Sequence, residues 1–176
     1  NPAGPGRRLS SYPLPPGSVF KIIGAVAATN AGISTAETFD CGGRFRIQQR
    51  KCHSHGTVDL AEAVKGSCNF YFWEAALRTK PEPLSKLARA FGMGSKTGID
   101  LPWERSGRMP SPSARLESSG EGWHPGDTLN IAIGQGEVEA TPVQIARMIA
   151  AVANGGKLFR PHLANEVVAA SGESPQ

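Results

Sequence analysis

The sequence predicts a mostly helical domain with one short β-hairpin. Three observations point there. Apolar residues recur at helical spacing in three stretches, 19–30, 67–77 and 142–154. Only one stretch, 39–51, alternates as a pair of short strands would. The 21 glycines and 14 prolines among 176 residues cut the remainder into turns and long connections.

Taken in order, residues 1–17 read as a loop-rich lead-in, since Pro13, Pro15, Pro16 and Gly17 all resist regular structure. Ser18 is placed to cap a helix over 19–30 that stops at Asn30-Ala31-Gly32. Arg44, Phe45, Arg46 and Ile47 alternate as in a hairpin. Thr57 or Asp59 can cap a short helix over 60–65, and another starts at Ser67 with Phe70, Trp73, Ala76 and Leu77 on one face. A short helix over 83–91 ends at Gly92. Residues 102–127, full of Pro, Gly and Ser, read as irregular. The last helix, 142–154, has proline in its first turn, an apolar face of Ile145, Met148, Ile149 and Val152, and a Gly155-Gly156 stop.

Size and charge narrow the function. A chain of 18.6 kDa fits one domain. The net charge of +4 is mild, its densest group is Arg44, Arg46, Arg50 and Lys51, and no aromatic residues alternate with a basic stripe, so nucleic acid is not an expected partner. No apolar run reaches the roughly 18 residues of a membrane span, and no signal peptide opens the chain. Three cysteines cannot all pair with one another.

The chemistry starts at Ser18 and Lys21. Positions three apart on a helix share a face, so hydroxyl and amine point the same way. A lysine at the positive end of a helix is electrostatically misplaced for structure. For catalysis the placement is apt: burial and positive potential both lower an amine's pKa, and a neutral amine can take the proton that makes a serine nucleophilic. Ser67 and Asn69, at the start of the second amphipathic helix, add a hydroxyl that can relay a proton and an amide that can hold a substrate carbonyl.

The stretches "YPLPPGSVFKIIGAV", "HGTVDLAEAVKGSCNFYFW", "FGMGSKTGIDLPWERSGRMP", "PGDTLNIAIGQGEVEATPVQIARMIAAVANGG" and "RPHL" together resemble class B penicillin-binding proteins, above all the elongation type, the penicillin-binding protein 2 group. The likeness runs in order from about residue 8 to 168. It implies an α/β serine transpeptidase (β-lactamase-like) fold, of which this chain holds mainly the helical part and a short hairpin, with most sheet strands missing. Its domain would span 18–168, after the 1–17 lead-in and before a 169–176 tail. The resemblance makes Ser18 the acylated nucleophile, Lys21 its base, and Ser67 and Asn69 the Ser-x-Asn motif. The implied activity is D,D-transpeptidation of peptidoglycan, with D-Ala-D-Ala stem peptides as substrates and β-lactams as acylating mimics. It further implies a SEDS-type glycan polymerase as partner and a periplasmic location, with an inner-membrane anchor in the full-length parent and this stretch soluble.

The family's third motif, Lys-Thr-Gly on an edge strand, has a decoy in Lys96-Thr97-Gly98. That triplet follows a helix stop and runs into "TGIDLP" with no alternating strand around it. The true motif is expected after residue 168, so the chain alone is expected to acylate slowly or not at all. A scaffold or β-lactam sensor of the same ancestry is the alternative; a class D-like β-lactamase ranks lower, for want of residues to activate water.

Cys41, Cys52, His55 and Cys68 can form a Cys3His set for a structural Zn2+, with His53 as runner-up ligand. Some elongation-type family members are similar here, with carboxylate, His and Cys ligands tying the hairpin to the Ser-x-Asn helix. A Cys41–Cys52 disulfide with Cys68 free, or three separate thiols, are the other readings. No organic cofactor is expected. Gly134-Gln135-Gly136 lacks the lysine of a phosphate loop and reads as support for the floor of the site. Trp73, Trp103 and Trp123 read as core or rim packing, and His124 and His162 have no evident partners in the sequence.

Overall fold

Two helices packed together at a glycine organise the core. They are α2 (Lys21–Asn30) and α4 (Asn69–Thr79) in a computed structural model that describes residues 5–164, with side chains from residue 8 onward. A Cβ on Gly24 would sit 3.0 Å from Cδ1 of Phe72, so the absence of a side chain lets α2 press against the α4 ring. Phe20, Ile23, Ala27 and Ala28 pack there with Tyr71, Phe72, Ala75 and Ala76, all buried. Trp73 is buried as well and donates from Nε1 to the Leu129 carbonyl at 3.0 Å.

Around this pair the chain runs α1 (Pro5–Ser11), a 3-10 turn (Gly17–Phe20), α2, β1 (Phe39–Cys41), β2 (Gly56–Val58), α3 (Leu60–Lys65), α4, α5 (Pro81–Ala90), α6 (Pro112–Ser119), α7 (Pro125–Ala132) and α8 (Pro142–Ala153). Caps account for several starts. Asp59 and Glu62 make a reciprocal capping box on α3, and Thr141 with Gln144 does the same on α8. The buried Gln144 amide also donates to the Ser95 and Ser106 carbonyls, both at 2.7 Å, and so ties α8 to the 92–107 loop.

Several expectations change. Residues 5–11 are helical inside the predicted loop-rich lead-in. The hairpin is wider than the 44–47 alternation suggests: Phe39, Asp40 and Cys41 pair antiparallel with Val58, Thr57 and Gly56, and an inner bridge joins Arg44 to Lys51. Residues 102–127 contain α6 and the start of α7. Ser111 accepts from the Ala114 N–H ahead of Pro112, a proper helix start. α6 buries none of its residues, so no hydrophobic period announces it. Trp103 is 64% exposed, with φ of 61°, and belongs to no core. Trp123 is half-buried, with the Arg115 guanidinium 4.6 Å from its ring. The proposed 169–176 tail lies outside the described residues.

Candidate active site and thiol cluster

Ser18 does not cap α2. It sits in the 3-10 turn Gly17–Phe20, and Lys21 is the first residue of α2. The change tightens the expected geometry, because side chains three apart eclipse in a 3-10 turn of three residues per turn. A backbone bond from Gly17 N–H to the Gly134 carbonyl, 2.9 Å, pins the turn from beneath. Gly134 has φ of 66°, and a Cβ there would lie 2.3 Å from the Gly17 carbonyl oxygen. Gly134 can be only glycine.

Ser67 and Asn69 come to the same place. Ser67 has φ of 51°, a left-handed conformation unusual for a residue with a side chain, and Cys68 follows in extended conformation as the N-cap of α4. That reversal turns the Ser67 carbonyl, the Ser67 hydroxyl and the Asn69 amide oxygen toward one atom. The Lys21 Nζ donates to them at 2.7, 2.8 and 2.6 Å. Lys21 is buried, 3% exposed, and has no carboxylate partner among the described residues. Burial drives its pKa below the ordinary 10.5, opposed by whatever negative charge Cys52 and Cys68 carry.

No hydrogen bond joins Lys21 to Ser18 among the described residues; all three ammonium protons point at Ser67 and Asn69. Of these acceptors only the Ser67 hydroxyl can also donate. A neutral Lys21 could keep its bonds to the Ser67 carbonyl and the Asn69 amide while taking a bond from Ser67 O–H, which gives the proton a path between amine and hydroxyl. Ser18 is exposed and lines a cleft of about 530 Å3 with Ser67, Asn69, Lys51 and His53.

Lys96 belongs elsewhere. It lines a separate cleft with Pro13, Trp103 and Glu139. Its neighbour Thr97 is buried, with its N–H and hydroxyl on the Glu104 carboxylate at 2.6 and 2.5 Å, while Gly98 N–H reaches the other Glu104 oxygen at 2.9 Å. This triplet staples a loop.

The predicted ligand set does converge. The donor atoms of Cys41, Cys52, His55 and Cys68 all lie within 4.8 Å of one another, a cluster able to hold a metal ion, and the three thiols are not disulfide-bonded. The His55 Nδ1 is 3.6 Å from Cys41 Sγ and 3.7 Å from Cys52 Sγ. Its Nε2 lies 3.1 Å from the Gly66 carbonyl, which can only accept; Nε2 therefore carries a proton, and Nδ1 is the ring atom that faces the sulfurs. Burial raises the Cys41 thiol, but hydrogen bonds from the His55 side chain, the Gly43 and His55 amides and Cys68 outweigh it and hold the group at about 7. Cys68 is pushed up to about 12, chiefly by burial, with one relieving bond from the Tyr71 amide and further opposition from Cys41 and Cys52. A cation among these donors would satisfy charges that the thiols cannot share. His53, the runner-up ligand, is outside the cluster and exposed.

Comparison with known proteins gives one consistent answer. The penicillin binding protein transpeptidase domain matches residues 6–176. The peptidoglycan D,D-transpeptidase MrdA of Acinetobacter baumannii is 34% identical over 157 residues, 85% of this chain and 23% of that protein. The penicillin-binding protein 2 of Pseudomonas aeruginosa superposes with a TM-score of 0.85 at 32% identity, over 96% of this chain and 40% of that one. The Helicobacter pylori penicillin-binding protein 2, solved in complex with MreC, gives 0.84 at 34% identity, over 90% of this chain and 30% of that one. The chain thus spans about a quarter of the length of the curated relatives it matches.

Proposed function

The chain belongs to the penicillin-binding transpeptidases of the penicillin-binding protein 2 type, and we propose that it is the acyl-serine core of a peptidoglycan D,D-transpeptidase. In this reading the Ser18 Oγ attacks the carbonyl between the two terminal D-alanines of a stem peptide. Its proton passes to Lys21, and the new ester forms as the C–N bond to the last D-alanine breaks. Lys21, through Ser67, returns the proton to the departing amine. The amine of a neighbouring strand then attacks the ester carbonyl; the C–O bond to Ser18 breaks as the new amide forms, and a proton of that amine passes by way of Lys21 to the Ser18 Oγ. Asn69 would orient both Lys21 and the substrate amide, and the Ser18 N–H would supply one donor to the developing oxyanion. The observation that carries the reading is the buried Lys21, without a carboxylate partner among the described residues and held by both residues of the Ser-x-Asn motif, which line the Ser18 cleft.

The thiol cluster fits zinc. Tetrahedral Zn–S bonds of about 2.3 Å and Zn–N bonds of about 2.0–2.1 Å place S and N about 3.6 Å apart, close to the 3.6 and 3.7 Å seen here. The Gly66 carbonyl behind His55 is the outer partner such a ligand needs. Cys41, Cys52, His55 and Cys68 would hold the ion, which supplies cross-linking rather than chemistry. Cys68 lies between Ser67 and Asn69, so the site would lock the start of α4 onto the hairpin and keep the Lys21 acceptors in place. For the whole protein we place the work in the periplasm with a SEDS-type polymerase. Among the described residues no helix is long and apolar enough to cross a membrane.

Incubation with a fluorescent penicillin, followed by peptide mass mapping, tests the reading. Slow formation of one adduct, at Ser18 and lost in Ser18→Ala, is expected, because among the described residues the only Lys-Thr-Gly lies in another cleft. The absence of any adduct at saturating β-lactam would favour a scaffold, a role the three satisfied protons of Lys21 would also suit.

A further inference from the structure

Resting on the acyl-serine reading for the nature of the substrate, we propose that Arg44 and Lys51 form an anion subsite at the rim of the Ser18 cleft, which takes a carboxylate of the bound peptide. The inner bridge of the hairpin sets these two cations directly opposite each other on antiparallel strands. Opposed residues in such a pair share a face, with Cβ atoms roughly 4.5–5.5 Å apart, and like charges there are destabilising. Both side chains are exposed, and neither has a hydrogen bond or ion pair among the described residues. Their neighbours are already engaged: Arg46 in a two-pronged pair with Glu74, and Arg50 in hydrogen bonds to Asn130, Gln48 and the Gly126 carbonyl. Arg44 and Lys51 are therefore the two cations of the hairpin whose side chains have no partner among the described residues.

The platform beneath the pair is firm. Cys52 N–H bonds the Gly43 carbonyl at 2.9 Å and Phe45 N–H the Arg50 carbonyl at 2.8 Å. Phe45 is fully buried, edge-on to Phe70 with ring centres 5.1 Å apart. Lys51 lines the same cleft as Ser18, Ser67 and Asn69, and no aspartate or glutamate among the described residues lines it. An arginine fork beside a lysine point charge matches a carboxylate, and carboxylates are the anions a peptide strand carries. Two sources are chemically equivalent, a side-chain carboxylate along the strand and the C-terminal one.

The test is an amide NMR titration of the 15N-labelled chain with a stem pentapeptide ending in D-Ala-D-Ala. Three versions are used: carboxylates free, side-chain carboxylates amidated, and the C-terminus amidated. We expect the free peptide to shift the amides around 44 and 51, and one amidated version to lose that response and so identify the source. The Arg44→Gln/Lys51→Gln double variant should bind the free peptide about five- to ten-fold more weakly, the range of two exposed charge contacts, and the preference for the free peptide should fade in high salt. Because the change removes a repulsion, the double variant should melt no lower than the parent. Equal affinity for all versions, an unchanged double variant, or no binding at millimolar peptide would each overturn the subsite. Penicillin labelling of the same samples keeps the two readings apart. Labelling without carboxylate preference sinks the subsite alone; carboxylate preference without labelling sinks the acyl-serine reading alone.

Discussion

Replacing Gly134 with alanine should unseat the turn that carries Ser18. The new Cβ would lie 2.3 Å from the Gly17 carbonyl oxygen, 2.7 Å from Phe20 Cβ and 2.9 Å from Gly17 N, all closer than folded proteins tolerate. A left-handed φ of 66° costs a residue with a side chain about 1–2 kcal/mol. Pushing Gly17 away stretches its bond to Gly134 and strands a polar pair, about 1–3 kcal/mol more. The sum, about 2–5 kcal/mol, is a large share of the roughly 5–15 kcal/mol that hold a domain together, and it lowers Tm by about 4–20 °C for a chain of this size. Gly155→Ala is the control: its φ is 78°, but nothing lies within 4 Å of the added Cβ, so it suffers the conformational term alone. Urea melts of both variants, with penicillin labelling of Ser18, make the comparison. The reasoning fails if Gly134→Ala loses no more stability than Gly155→Ala, or if it loses stability while Ser18 labels at the parent rate.

Other outcomes follow from the same geometry. Purified chain should contain one zinc per molecule by elemental analysis, and chelator or Cys68→Ser should remove it and lower Tm by more than 10 °C or so, since structural zinc contributes folding energy directly. Lys21→Met should be most favourable relative to the parent at neutral pH. The folded chain gives up the Lys21 proton below 10.5 while the unfolded chain holds it to 10.5, so the parent gains on the variant as pH rises through the window ending there, measured by urea melts from pH 7 to 10.5. Glu104→Gln should cost about 2–3 kcal/mol by thermal denaturation, because an amide nitrogen would face N–H and O–H donors of Thr97 and Gly98, yet leave the rate of Ser18 labelling intact.

What could be read in advance depended on how local the cause was. The Asp59 cap on α3 and the proline start of α8 were legible, because a few adjacent residues produce them; the buried face of α8 was not, for the expected Ile149 and Val152 are exposed while Val143, Met148 and Ala151 go inside. So was the spacing of Ser18 and Lys21, although the form of the turn was not: it depends on Gly134, more than a hundred residues away. The left-handed Ser67 has no local signature, since nothing about serine asks for positive φ. α7 escaped notice because the Leu129–Ala132 segment is buried nearly all round and shows no amphipathic period, although Pro125 and the Asp127 carboxylate on the His124 N–H mark its start. Four potential ligands could be proposed from the sequence; that they meet within 4.8 Å depended on the pairing of β1 with β2, a strand that lies beyond the 39–51 stretch read as the hairpin.

The position of Cys68, with one lysine acceptor on either side, has a pharmacological consequence. If the cluster holds zinc as proposed, a drug that strips the ion or captures the thiols would slacken the grip on Lys21 from behind, without ever resembling a penicillin. Resistance changes that merely reshape the front of the pocket would offer no shelter from it.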